Sequence, residues 1–172
     1  DFAESLPLQD ISRLRGSNEI VVSEKVGFRW EWFGFNVREE YAGRSQKLRQ
    51  AFQWAIDREA IHHAAYFGTG SIGYDGILPG TPFHDSDYKP FTRDVDKAKR
   101  LIDECGLDEP IELLAPVTSD AVKQRASQIF MANAAEIGVK INTESGFCRS
   151  EFILSIMEDT AKACSNGSPP LN

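Results

Sequence analysis

The sequence predicts an α/β fold, a mixed sheet flanked by helices, and two patterns carry that prediction. The first is a strand signal over residues 111–117, a helix beginning at Ser119 or Asp120, a stop at Gly138 and a second strand over 139–143. A strand, a helix of about 18 residues and another strand make a βαβ unit, which pairs its strands in parallel. The second is an amphipathic stripe of Leu48, Phe52, Ala55 and Ile56 at i, i+4, i+7 and i+8, which needs a sheet or a second helix to cover it. A chain of 172 residues, 41% hydrophobic and 26% charged, is long enough to supply one core without a metal or disulfide staple.

The elements follow in order. Residues 5–11 lead into a short helical pattern that Gly16, Ser17 and Asn18 break, and the β-branched run at residues 19–22 then predicts a strand. Over 26–37 the aromatic residues alternate: Phe28, Trp30 and Trp32 share one parity, and Phe33, Phe35 and Val37 share the other. Such a strand is buried on both faces, or buried on one and lining a cleft with the other. Asp57 interrupts the helical stripe and is suited to cap a second short helix that runs to Gly68, a role worth about 1 kcal/mol. Asp94 caps the next helix, whose Val95, Ala98, Leu101, Ile102 and Cys105 share a face, and Gly106 is expected at the C′ position that ends it. After the βαβ unit, Phe152, Ile153, Ile156 and Met157 suggest one more helix, followed by a Ser-, Gly- and Pro-rich tail.

Charge and composition exclude several functions. A formal net charge of −7, with the basic residues scattered, argues against nucleic acid, because phosphate binding needs clustered Lys and Arg. No apolar run approaches the roughly 20 residues that span a bilayer. The start at Asp1, without Met or a leader pattern, reads as a piece of something longer. Cys105, Cys148 and Cys164 are odd in number and fit no zinc or CxxC spacing, so they read as structural or free thiols.

Few motifs point to chemistry. Gly68, Gly70 and Gly73 match GxGxxG, which would mark a nucleotide-binding domain or small α/β enzyme. That motif acts between a strand and a helix N-terminus, whereas here it follows a helix and precedes a loop. His62, His63 and His84, with Asp75, Asp85 and Asp87, could be imagined around a metal, yet adjacent residues on a helix point about 100° apart. Solvated residues are the simpler reading, and no metal or cofactor is expected. No GxSxG, SxxK or catalytic Cys context is present, so the chain reads as a non-enzyme.

In their order and spacing, these segments resemble the second lobe of the extracytoplasmic solute-binding proteins of peptide and nickel ABC importers, family 5. The resemblance runs over residues 1–143. Its carriers are DFA at 1–3, LPLQDI at 6–11, FGFN at 33–36, LRQAFQWAIDREAI at 48–61, FGTG at 67–70, LPG at 78–80, DVDKAKRLI at 94–102, Gly106 and IGVKI at 137–141.

The resemblance implies a two-lobed periplasmic-binding-protein-like fold, with residues 1–145 as one lobe and 146–172 as its poorly matched end or a tail. It implies a peptide-like or other small polar solute held between lobes, a second lobe of the same protein as partner, and a membrane permease that receives the solute. It also recasts the glycine motif as a small-residue loop with no nucleotide. Dipeptide-binding members place an Arg beyond the strand matching 111–117, but Thr118, Ser119 and Asp120 stand here. They also use an Asp after a Gly-Trp pair, and the matching region, 164–168, holds neither Trp nor Asp. Ligands in open α/β sheets gather beyond the carboxyl ends of strands. With the resemblance turning the aromatic strand towards the cleft, the expected ligand-binding residues are Trp30, Trp32, Asn36, Thr118 and Ser119.

Overall fold

The computed structural model describes Ala3 and residues 6–24, 31–73, 75, 85, 87–88, 91–116, 119–144 and 154–156. In chain order its elements are α1 (Leu8–Arg15), β1 (Phe33–Phe35), a 3-10 turn (Ala42–Arg44), α2 (Gln46–Ala55), α3 (Arg58–Tyr66), α4 (Val95–Asp103), β2 (Glu112–Pro116), α5 (Ala121–Glu136), β3 (Lys140–Glu144) and β4 (Leu154–Ile156). The expected βαβ unit is β2-α5-β3, its strands paired in parallel from Glu112 opposite Lys140 to Pro116 opposite Glu144. β1 and β4 form a second parallel pair, with Phe33 opposite Leu154. β4 also runs close to β2, which brings the two pairs together in the spatial order β1-β4-β2-β3.

Four helices begin where the sequence supplies an oxygen for otherwise orphaned amides. The side chains of Ser45, Asp57 and Asp94 accept from the amides of Leu48, Ala60 and Lys97, and Asp120 accepts from both Val122 and Lys123. Each such cap contributes about 1 kcal/mol. At the other end of α5, Gly138 takes φ +80° just past the Ile137 cap, a conformation that a Cβ would penalise. α4 closes earlier than its apolar stripe suggests. Glu104 is its C-cap, so Gly106, at φ +70°, lies one position beyond C′.

The core sits where α2, α4 and α5 converge on β2 and β3. α2 buries Leu48, Ala51, Phe52 and Ala55, four positions on one helical face, against Ala98 and Ile102 of α4. β2 alternates: Leu113 and Ala115 are buried, as is Ile111 just before it, while Glu112 faces water. Phe130 of α5 stacks on Phe52 at 5.2 Å and joins the two halves. A smaller cluster of Ile61, Ala65 and Ala126 seats α3 on α5.

Two local expectations fail. The stretch 20–24 forms no strand, and Val21 is almost fully exposed. β-branched propensity becomes a strand only when a neighbouring strand completes the ladder. Where Phe152 to Met157 suggests a helix, residues 154–156 are instead the strand β4, since parallel pairing with β1 outweighs a short helical spacing. Phe152, Ile153 and Met157, like Trp30 and Thr118, lie outside the described residues.

Candidate functional site

The rings in and beside β1 are placed differently. Phe33 stacks on Phe130 at 4.1 Å and 11°, and Phe35 meets Phe52 edge-on at 5.0 Å, so both rings belong to the core. Trp32, of the opposite parity, is 60% exposed. An indole of this size held at the surface beside a half-buried strand has apolar area to offer a ligand.

The chain around Trp32 and Asn36 is fixed by specific contacts. Tyr66 at the end of α3 donates from its hydroxyl to Glu31, anchoring the approach to β1. Beyond β1, Asn36 is half-buried and its Oδ1 accepts from the Arg38 amide at 3.1 Å, an Asx turn that employs this oxygen locally. Gly43 packs against the same turn so closely that a Cβ there would lie 2.1 Å from the Asn36 carbonyl oxygen. Only glycine permits that approach of backbone to backbone.

At the head of α5, Ser119 is exposed. The next residue, Asp120, holds the amides of Val122 and Lys123 at 2.9 and 3.1 Å through one carboxylate oxygen. These amides are therefore already matched to a negative charge, which makes this helix start less receptive to an anionic ligand group.

The α2–α3 corner is held from α5. Asn133, buried in the middle of an apolar face, accepts from the Asp57 amide at 2.8 Å, while the Asp57 carboxylate caps α3. Arg93 donates from Nε to the Ala55 carbonyl at 2.9 Å and pairs with Glu136 at 2.6 Å, so it caps the end of α2 and ties it to α5. Arg58, largely buried, pairs with Asp75 and donates to the Gln53 carbonyl. None of these long-range partners is visible in local spacing.

Gly68, Gly70 and Gly73 follow the C-terminus of α3, with Phe67 as a left-handed cap at φ 54°. The free backbone groups at a helix C-terminus are carbonyls at the negative end of the dipole, the opposite of what a pyrophosphate needs. The histidines, by contrast, lie closer than their divergence on a helix implies. His62 and His63 rings are 5.4 Å apart, and ligand atoms of Glu59, His62 and His63 all lie within 4.8 Å of one another. Glu59 is the residue that sequence reasoning omitted; its signal was the spacing i, i+3, i+4.

Two carboxylates are perturbed at the surface. Hydrogen bonds from Lys140 and Asn142, both on β3, hold Glu112 of β2 below the usual carboxylate range. A hydrogen bond from Lys47 does the same for Glu104. Both are links between elements.

The comparison with known families decides among these readings, because a model of bacterial extracellular solute-binding proteins, family 5 (middle), matches residues 1–161. The chain belongs to this family. Among relatives of this family 5 chain, the dipeptide-binding protein of Escherichia coli is 30% identical over 139 residues, covering 76% of this chain and 25% of its own. Heme-binding protein A of Haemophilus influenzae is 28% identical over 138 residues, covering 77% and 25%. The solved structure of HbpA2 from Haemophilus parasuis superposes with a TM-score of 0.70 at 25% identity, covering 81% of this chain and 28% of that one. The chain thus spans about a quarter of the length of the relatives it matches. These relatives are named for binding and not for catalysis. The fold is one lobe of a two-lobed periplasmic binding protein, and an extracytoplasmic location follows from the family. Among the described residues no helix is long and apolar enough to cross a membrane.

Proposed function

We propose that this chain is one lobe of the substrate-binding component of an ABC importer, capturing a peptide-like or other small polar solute and delivering it to a membrane permease. The observation that carries the proposal is the family match over residues 1–161. The relatives' names, for dipeptide and for heme, set the range of solutes to test. No bond of the solute is made or broken; the ligand's greater affinity for the closed state drives closure of two lobes about it. Residues 1–145 form the lobe in this reading. The pairing of β4 with β1 supports taking 146–172 as the lobe's end.

Trp32 is the indole best suited to the solute, because its neighbours Phe33 and Phe35 already fill the core. Trp30 and Thr118 are proposed beside it on sequence grounds. Ser119 contributes its hydroxyl, and Asn36 contributes the donor end of its amide, since Oδ1 is engaged with Arg38. With Asp120 on the α5 amides, this lobe favours neutral or cationic parts of a solute over a carboxylate.

The test is calorimetry on the complete two-lobe protein with a panel of di- and tripeptides and heme, followed by Trp32→Ala and the Thr118→Ala/Ser119→Ala pair. Loss of one or two buried hydrogen bonds in the Thr118/Ser119 double variant should weaken binding of the best solute by about 1–3 kcal/mol, and Trp32→Ala should weaken it through lost apolar contact. Unchanged affinity in both variants removes these residues from the site. Absence of binding across the panel removes peptide and heme as solutes.

A further inference from the structure

We propose that Glu59, His62 and His63 on α3 form a binding site for a divalent first-row transition ion of the zinc, nickel or copper type, separate from the solute site. On a helix, positions i+3 and i+4 flank position i one turn further along. Glu59 therefore stands between the two imidazoles, although these diverge from each other by about 100°. The structure realises that arrangement, with ligand atoms of all three residues mutually within 4.8 Å. Nε2 of His63 lies 4.0 Å from a Glu59 carboxylate oxygen, while its Nδ1 edge lies beside Gly68.

A second observation points to a ligand independently of that spacing. Nε2 of His62 is buried and has no hydrogen-bond partner among the described residues. A polar atom in that condition is costly unless water or an ion satisfies it, and a neutral imidazole nitrogen is a ligand for borderline metals. Two imidazoles and a carboxylate make an N2O set, which suits zinc, nickel and copper and leaves further positions for solvent. With bonds of about 2.0–2.2 Å, the three groups must close by roughly 1 Å, which side-chain torsions on an intact helix allow. Glu59 and His63 are exposed, so an ion reaches them without unfolding α3.

The experiment is isothermal titration of the full, tag-free chain with ZnCl2, and separately NiCl2, in a non-coordinating buffer at pH 7.5. Wild type is expected to take up one equivalent. His63→Gln and Glu59→Gln, both surface changes, should retain the circular dichroism of wild type. His63→Gln should weaken binding by at least about tenfold, and Glu59→Gln by several-fold. His62→Gln is a third arm. If it unfolds, the two surface variants still decide. The proposal is overturned if wild type shows no saturable binding, or if binding survives unchanged in both His63→Gln and Glu59→Gln. Neither result bears on solute capture, which calorimetry with peptides and heme measures on its own.

Discussion

Asp57 holds a corner of the molecule with two different groups. Its carboxylate caps α3 through the Ala60 amide, and its own amide is taken by Asn133 from 76 residues away. Asp57→Ala should therefore lower stability by about 1 kcal/mol in urea denaturation, leaving solute affinity unchanged. Loss of binding without loss of stability would place Asp57 in the site instead. Asn133→Ala leaves the Asp57 amide without its partner and is expected to cost about 1–3 kcal/mol, at least as much as the cap. The two residues differ in legibility for a physical reason. Asp57, Asp94 and Asp120 announce themselves because a cap acts over two or three residues. Asn133 sits in an apolar stripe where spacing says only "core", and its partner is supplied by the fold.

At the scale of elements, β1 is the informative case. Alternation grouped Phe33, Phe35 and Val37 against Trp32; the structure packs Phe33 and Phe35 against the core but leaves Val37 as exposed as Trp32. What alternation omitted is the turn behind the strand. Gly43→Ala would set a Cβ 2.1 Å from the Asn36 carbonyl oxygen and 3.0 Å from Phe35 Cβ, so β1 or the 3-10 turn must shift. A loss of about 1–3 kcal/mol is expected, with amide shift changes centred on residues 33–37 in NMR spectra. A silent substitution would mean that the turn yields freely. The β2–β3 pair gives a pH test. Lys140 and Asn142 depress the Glu112 pKa in the folded state. That link contributes stability above the unfolded-state pKa and loses it as pH falls through the folded one. In Lys140→Met, an NMR titration should show the Glu112 pKa move upward; no movement would deny the link. The strand expected at 19–22 and the helix expected at 152–157 mark where local pattern stops deciding, because strand formation depends on which chain lies alongside.

For the molecule as a whole, the βαβ unit and the paired α2 and α3 were readable because each carries its own periodicity and stop signals. The position of β4 beside β1 was not, since three residues hold too little pattern to name a partner. The proposed solute site rests on a strand face and a strand end. Trp32 and Ser119 are exposed, whereas Asn36 is partly committed to its own turn. A lone lobe offers one wall of a cleft, so high affinity is expected only of the complete protein, on closure. Small-angle X-ray scattering of the complete two-lobe protein, before and after addition of the tightest-binding peptide or heme, tests this most directly. The expected result is a smaller radius of gyration with the solute bound, and no such contraction when the solute is added to the isolated chain. A solute that binds the complete protein tightly while leaving its radius unchanged, or that binds the isolated chain equally well, would contradict capture between lobes.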